Sequence, residues 1–590
     1  MCGIFGYVGH SKKAASIVLN GLKNLEYRGY DSWGIAVMPI KGNKIVVKKK
    51  TGKIGQATVA DMPPSSFAFG HTRWATHGGV SDVNAHPHLD FTKTIAIIHN
   101  GIVENYEELK RELRRRGHRF ISETDTEVAV HLIEEYAKIM IFSKAVQKAF
   151  NRMTGLNAFI VMNTKINEFI AVRNGSPLVA GFGTGENFLA SDADALLPYT
   201  KQVHYLEDDE MAIVSSKGIQ LFNARTGYIV RPRKQLLTWS VRQVEKGEYP
   251  YFMLKEIYEQ PGVIADIAAD GANRANELAH MIHDIRNISI IGCGTASYAS
   301  LAGSILLNKI TKRPVTWTIA SEYDDEVEFL STKSLVIALS QSGETMDTLI
   351  AIRKAKEKGA KILAVVNVIG SSLYRESDMN LAIGAGPEKG VASTKAFTGK
   401  VSHLILLSHA MAGTLKEGQT VLGRCAQAAK TVLQPQNVEH IHTLAKRLKN
   451  VHHIYIIGRG IGYPTALEAA LKIKEISYIH AEGFAAGELK HGVIALIEKG
   501  TPCIVFIPND DMYEANCAGA MEMKARGGFI IGISPKPNPV FDYYLPVPDV
   551  GVATIIPNVM TAQLFAYYLT IERGFDPDMP RNLAKSVTVK

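Results

Sequence analysis

Six short segments in the second half of the chain are apolar from end to end, at 288–292, 334–340, 361–368, 454–458, 503–508 and 528–534, with amphipathic stretches between them. Runs of Val, Ile and Leu without polar alternation suit strands covered on both faces, the condition of a parallel sheet wound with helices. The pattern is also repeated. Ile288-Ser-Ile-Ile-Gly-Cys-Gly294 matches Ile454-Tyr-Ile-Ile-Gly-Arg-Gly460, and each copy leads into a helix and then another apolar strand. This predicts two similar α/β subdomains, each a doubly wound parallel sheet, at 277–416 and 447–580. The copies part after that next strand, where one has Ser340-Gln-Ser-Gly-Glu-Thr345 and the other Pro508-Asn-Asp510. Two sheets with one main phosphate site are expected.

The first 235 residues read differently. Short strands separated by Gly and Asn turns dominate, with helices at 14–25 and 126–138, which predicts an α+β domain of stacked sheets with helical cover at 2–235. A polar and aromatic stretch at 236–250 reads as a linker, and a charged tail closes the chain at 581–590. At 590 residues the chain exceeds the ~250 to 300 at which a single core stops growing. Several domains are required.

Composition narrows the function. The net charge of +9 comes from 66 basic and 57 acidic residues spread along the chain, where a nucleic-acid binder would gather its positive charge on one face. Five cysteines, at 2, 293, 425, 503 and 517, form no C-x-x-C pair and no zinc spacing, and suggest reduced thiols in a cytoplasmic protein. No leader pattern opens the sequence, and no segment reads as ~18 consecutive apolar residues able to span a bilayer.

Cys2 follows Met1 and precedes Gly3. A small second residue is the condition for methionine removal, after which Cys2 carries a thiol and a free α-amine. That amine has an ordinary pKa of about 7.7 to 8.0 and can serve as general base for its own thiol. Arg73, in His71-Thr-Arg-Trp-Ala-Thr-His-Gly78, offers a guanidinium that can hold an α-carboxylate bidentately. Asn100-Gly101, after an apolar strand, can aim a side-chain amide and a backbone N–H at a developing oxyanion. Asp125 precedes a helix and can either cap it or hold an α-ammonium.

In the second half, the Ser340–Thr345 loop lies between a buried strand and a helix. Its hydroxyls and glycine suit either a phosphate cradle at a helix N-terminus or a capping segment. Thr295, after Gly292-Cys-Gly294, adds a second candidate phosphate contact, and no Walker lysine pattern occurs. Glu468, Lys472 and Glu475 stand at i, i+4 and i+7 and share a helix face, for which a solvated salt-bridged stripe is the ordinary reading.

These motifs carry a resemblance. Cys2-Gly-Ile, Glu26-Tyr-Arg-Gly-Tyr-Asp-Ser32, Arg73-Trp74, Asn84-Ala-His-Pro-His88, His99-Asn-Gly101 and Glu123-Thr-Asp125 resemble the class II glutamine amidotransferases. The remainder, including Lys255-Glu-Ile-Tyr-Glu-Gln-Pro261, Gly390-Val-Ala-Ser-Thr-Lys-Ala-Phe397, the helix with Glu475, the segment ending at His491 and the tail with Lys585, is similar to the paired sugar isomerase (SIS) domains of isomerising ketose-phosphate aminotransferases. The resemblance implies a four-layer Ntn-type glutaminase fold ahead of the two SIS domains. It implies L-glutamine and fructose 6-phosphate as substrates, internal transfer of ammonia, at least a homodimer, and no metal or other cofactor.

The resemblance also implies residue roles. Cys2, Asn100 and Gly101 would act on glutamine, held by Arg73, Trp74, Thr76, His77, His86 and Asp125. Lys585 would form a Schiff base with the open-chain ketose, Glu475 would move the proton between C1 and C2, Lys472 would assist at the sugar oxygens, and His491 would help open the ring in a neighbouring subunit. Ser340, Gln341, Ser342, Thr345 and Thr295 would hold the phosphate, with Val391, Ser393 and Ala584 near the sugar. Two departures stand out: Ala296 where the family often has Ser, and Gly155-Leu-Asn-Ala-Phe159 in place of the usual Gly-Ala-Tyr run. Amination of a different ketose phosphate, or a non-catalytic sugar-phosphate sensor, are the alternative functions.

Overall fold

A computed structural model of the chain describes residues 2–237 and 244–587. The expected loss of Met1, part of the expected linker at 238–243 and the end of the tail at 588–590 lie outside the described residues. The chain divides into two units, Met1–Glu245 with Ala584–Lys590, and Lys246–Leu583.

In the first unit, strand Gly3–Val8 shows how side-chain alternation builds layers. It lies between Phe67–Arg73 and Asn187–Ala190 in an antiparallel eight-stranded sheet. Successive side chains leave opposite faces of a strand. Ile4 and Val8 accordingly join a core with Phe67, Phe69, Ile98, Ile160 and Phe169, the last three from a second antiparallel sheet of seven strands. Phe5 and Tyr7 point the other way, into a core with Val18, Leu19 and Leu22 of helix Ala14–Leu25. The outer face of the seven-stranded sheet is covered by helices Tyr106–Arg115, Asp125–Ala137 and Phe142–Arg152 through Leu113, Val128, Leu132 and Phe150. Helix, sheet, sheet and helices make the four layers expected for this half.

The second unit holds two five-stranded parallel sheets. One orders its strands as Val315–Ile319, Asn287–Gly292, Ser334–Ser340, Lys361–Val366 and Met379–Ala382. The other orders His480–Ala485, His453–Gly458, Pro502–Phe506, Phe529–Ser534 and Tyr543–Pro546. Numbered along the chain, both read 2-1-3-4-5, so the sequence repeat is a repeat of topology. In this arrangement the crevice beyond the carboxyl ends of the first and third strands is the natural ligand position. For the first sheet those ends are Gly292 and Ser340.

Helix Phe252–Met281 carries Pro261 in its interior, which removes one N–H and frees the carbonyl four residues back. Gln260 Nε2 donates to that carbonyl, Ile257 O, at 3.2 Å, and to Gln563 Oε1 at 2.8 Å. The lost backbone bond is thereby replaced by a side chain anchored in the core. Among the described residues, Gly551–Glu572 is long and apolar enough to cross a bilayer, with a mean hydropathy of 1.2, but 89% of that window is buried inside the fold. It serves as a core helix, packed through Val559, Leu564 and Phe565.

Candidate active sites

In the first unit, antiparallel pairing of Gly3 with Thr72 sets Cys2 beside the end of strand Phe67–Arg73. Trp74 N–H donates to Cys2 Sγ at 3.2 Å. Burial pushes the Cys2 thiol pKa up, opposed by the Trp74 N–H and the Arg73 guanidinium. A buried thiol of raised pKa needs a base nearby to become a nucleophile. Gly3 is required at its place, because a Cβ there would meet Thr72 Oγ1 at 2.5 Å.

Asn100 Nδ2 donates to Cys2 O at 2.9 Å. Its amide oxygen faces His71 Nε2 at 3.1 Å, and the same nitrogen lies 3.0 Å from His99 O. Burial lowers the His71 pKa to about 3, so the ring is neutral near pH 7 and its Nε2–H fixes which end of the Asn100 amide points at Cys2. Gly101 has φ +132°, and a Cβ would lie 2.0 Å from Leu156 O. Glycine alone lets that backbone turn next to Asn100.

Arg73 is buried and donates to Gly79 O at 3.1 Å, to Gly78 O at 3.0 Å and to His77 O. It therefore fastens the 77–79 turn. Desolvation lowers its pKa, against the nearby Cys2, Asp125 and Asp31. Asp125 is the first residue of its helix, and its carboxylate accepts Val103 N–H at 2.7 Å and lies 3.9 Å from His99 Nδ1. No side-chain cap bond is made by the N-cap residue Thr124. Thr76 is exposed, His77 meets Tyr106 edge-on at 5.2 Å, and His86 lies against His71 with ring centroids 4.2 Å apart and planes tilted by 32°.

Three supports were not singled out from the sequence. Asp31 Oδ2 accepts Ala75 N–H at 2.8 Å. Glu123 Oε2 accepts Gly79 N–H at 3.1 Å and Asn84 Nδ2 at 2.9 Å. Their signal was present, since all three residues belong to the matched motifs.

In the second unit, the Ser340–Thr345 loop folds on its own hydroxyls. Ser340 Oγ accepts Gly343 N–H at 2.9 Å and lies 3.2 Å from Thr345 Oγ1, and Ser342 Oγ accepts Glu344 N–H at 3.2 Å. Helix Met346–Glu357 begins directly after it, while Gln341 lends its carbonyl to Asn367 N–H at 3.2 Å. Gly343 has φ +68°, and a Cβ would strike Ser371 Oγ at 2.0 Å. Thr345 occupies the N-cap position without a side-chain cap bond.

The stripe of Glu468, Lys472 and Glu475 is not a solvated surface. Glu468 and Lys472 are fully buried. Lys472 Nζ donates to Glu475 Oε2 at 2.7 Å and to Thr295 Oγ1 at 3.0 Å, and lies 3.5 Å from Glu468 Oε1. Thr295 in turn donates to Glu468 Oε1 at 3.2 Å. Burial raises the Glu468 carboxyl to about 7, opposed by Lys472 and reinforced by Glu475. The two carboxylates outweigh desolvation at Lys472 and keep its ammonium charged. Thr295, from the first sheet's helix, is thus bonded to the second sheet's helix. Ala296 beside it is buried.

The Gly390–Phe397 loop is held by carboxylates that sequence reading did not select. Glu388 accepts Ser393 Oγ at 3.0 Å, Thr394 N–H at 2.8 Å and Ala396 N–H at 3.1 Å. Glu256 accepts Gly390 N–H at 3.1 Å, and Val391 N–H reaches Asp578 O at 3.1 Å. His491 is exposed at the end of the Ala486–His491 turn. Ala584 and Lys585 fall in the tail that groups with the first unit, whereas the helix that carries Glu475 belongs to the second.

Comparison with known proteins covers both halves. Residues 71–198 match the glutamine amidotransferase domain family, and residues 281–410 and 447–573 match the SIS domain family. The glutamine–fructose-6-phosphate aminotransferase [isomerizing] of Thermococcus kodakarensis is 43% identical over the whole of both chains, and that of Aquifex aeolicus is 42% identical over the same full extent. A solved structure of the C-terminal domain of glucosamine-fructose-6-phosphate aminotransferase from Francisella tularensis is 33% identical. It matches 57% of this chain and 99% of that one with a TM-score of 0.51.

Proposed function

The chain belongs to the isomerizing glutamine–fructose-6-phosphate aminotransferases, and on that premise we propose that it converts glutamine and fructose 6-phosphate into glutamate and glucosamine 6-phosphate. The observation that supports the sugar half of this reading is the 2.7 Å contact between the buried Lys472 ammonium and the partly exposed Glu475 carboxylate, on the helix bonded to Thr295.

Glutamine chemistry starts at Cys2. Its thiolate adds to the side-chain amide carbon, and the thiol proton passes to the α-amine that loss of Met1 exposes. The oxyanion is received by Asn100 Nδ2 and Gly101 N–H, with Arg73 and Asp125 holding the α-carboxylate and α-ammonium. Proton return to the leaving nitrogen releases ammonia, and water cleaves the thioester to glutamate. Internal transfer is needed because ammonia in neutral water is largely protonated and no longer nucleophilic.

At the sugar, His491 opens the ring and Lys585 captures the C2 carbonyl as a Schiff base, which ammonia displaces. Glu475 removes a proton from C1 and returns one to C2, with Lys472 serving the adjacent oxygens. Oxidation at C1 balances reduction at C2, so the isomerisation needs no external electron carrier. The Ser340–Thr345 loop receives the phosphate at the start of its helix. The reading also includes a homodimer, in which the exposed His491 serves the partner's site, and a cytoplasmic location consistent with five free thiols.

The deciding experiment incubates the purified protein with glutamine and a panel of ketose phosphates and identifies the amino sugar by chromatography and mass spectrometry. Glucosamine 6-phosphate from fructose 6-phosphate is expected. Its absence, or preference for another ketose, refutes the substrate assignment. Cys2→Ala should abolish glutamine-dependent synthesis while sparing some synthesis from ammonium salts, and Lys585→Ala should abolish sugar conversion while sparing glutaminase activity.

A further inference from the structure

Helix Asp125–Ala137 carries His131, Glu134 and Glu135 in its last two turns, and the turn after helix Tyr106–Arg115 brings His118 against them. His118, His131 and Glu134 each place one donor atom within 4.8 Å of the others. The nitrogen and oxygen separations carry the argument. Glu134 Oε2 lies 3.0 Å from His131 Nδ1 and 3.4 Å from His118 Nδ1. A tetrahedral cation with bonds of about 2.0 to 2.2 Å requires its ligand atoms about 3.3 Å apart. The 3.4 Å separation meets that requirement, and the 3.0 Å one, now a hydrogen bond, has to open by about 0.3 Å.

The far nitrogens are also provided for. His118 Nε2 lies 2.7 Å from Glu135 Oε1, and His131 Nε2 lies 3.8 Å from Glu127 Oε1. A carboxylate behind an imidazole orients the ring and raises its basicity as a ligand. Both histidine side chains are nearly closed off, at 6% and 4% exposure, whereas Glu134 keeps 15%, which leaves an approach for a hydrated ion. The positive groups nearby, Arg116 at 3.6 Å and Lys138, face Glu135 and not Glu134.

We propose that His118, His131 and Glu134 form a binding site for a divalent transition cation of the zinc class, separate from the glutamine and sugar chemistry. The bound cation ties the His118 turn to the helix that begins at Asp125. Glu127 of that helix already holds the intervening strand of chain through Ile121 N–H at 2.9 Å and Ser122 N–H at 2.7 Å. The cation therefore acts as a clamp behind the Asp125 end of the glutamine site.

The test titrates chelator-treated full-length protein with cobalt(II) followed by zinc(II). One cobalt per chain with the visible d–d bands of tetrahedral coordination, bleached by zinc, is expected, together with a zinc-dependent rise in the first unit's melting temperature. His118→Gln and His131→Gln should each weaken zinc binding by at least about tenfold, and Glu135→Gln by roughly 10- to 100-fold. Circular dichroism of the metal-free His118→Gln protein verifies that it folds. Failure of the wild-type protein to bind zinc overturns the proposal. So does binding of equal strength in His118→Gln, which would assign the cation to other histidines.

Discussion

The Lys472 ammonium donates to Thr295 Oγ1 at 3.0 Å, a bond between side chains 177 positions apart in sequence. It joins the helix after the first strand of one sheet to the corresponding helix of the other. Lys472→Met removes the cation that Glu468, Glu475 and Thr295 share. Breaking a buried pair by deleting one partner costs about 3 to 5 kcal/mol. The variant should show that loss in denaturant titration of the second unit and no sugar conversion, with glutaminase activity retained.

Glu468 gives the second unit a pH dependence. Its carboxyl is raised by burial from 4.5 to about 7, so between those values the folded state binds more protons than the unfolded. Stability therefore falls as pH rises from about 4.5 to 7 and levels off above it. Glu468→Gln should flatten this part of the profile, measured by denaturant unfolding at pH 5 and pH 8. An unchanged difference between the two pH values would refute the assignment.

His71 acts in the opposite sense on the first unit. Burial lowers it from 6.5 to about 3, so in that window the unfolded state binds more protons, and stability is lost as pH falls below about 6.5. The slope for one such group is at most about 1.4 kcal/mol per pH unit. His71→Gln should reduce the acid sensitivity and, by releasing Asn100 Oδ1, lower glutaminase kcat. The pH profile separates the two effects.

Asn100→Ala removes the amide donor nearest Cys2. Loss of one oxyanion donor typically costs about 10²- to 10³-fold in kcat. Steady-state glutaminase assays should show a fall of that size with little change in KM.

Gly343→Ala adds a Cβ at φ +68° that meets Ser371 Oγ at 2.0 Å. Strain of about 1 to 3 kcal/mol is expected, relieved by distortion of the Ser340–Thr345 loop. The observable is a raised KM for the sugar phosphate, with the glutamine KM unchanged.

Much of this architecture was legible. The apolar runs and their repeat gave the two parallel sheets, because strands covered on both faces leave no polar alternation. The i, i+4, i+7 spacing placed Glu468, Lys472 and Glu475 on one face, yet their burial was not legible, since what covers them is a helix from the other copy of the repeat. His71 lay within a matched motif, but its bond to Asn100 depends on strand Phe67–Arg73 lying close to Ile95–Gly101 in the facing sheet. The same limit hid Glu388 and Glu256, carboxylates that bond backbone N–H groups of a loop no spacing rule connects to them. Local pattern reveals elements and faces. It does not reveal which face meets which.

The two sheets of the second unit repeat one strand order but differ in the side chains that follow the strands: hydroxyls in the first, and the Lys472–Glu475 pair on the helix of the second. As proposed, the sugar site draws on both copies. On the proposed reading, either sheet with its own helices would lack half of the sugar site, so neither should isomerise a sugar phosphate alone.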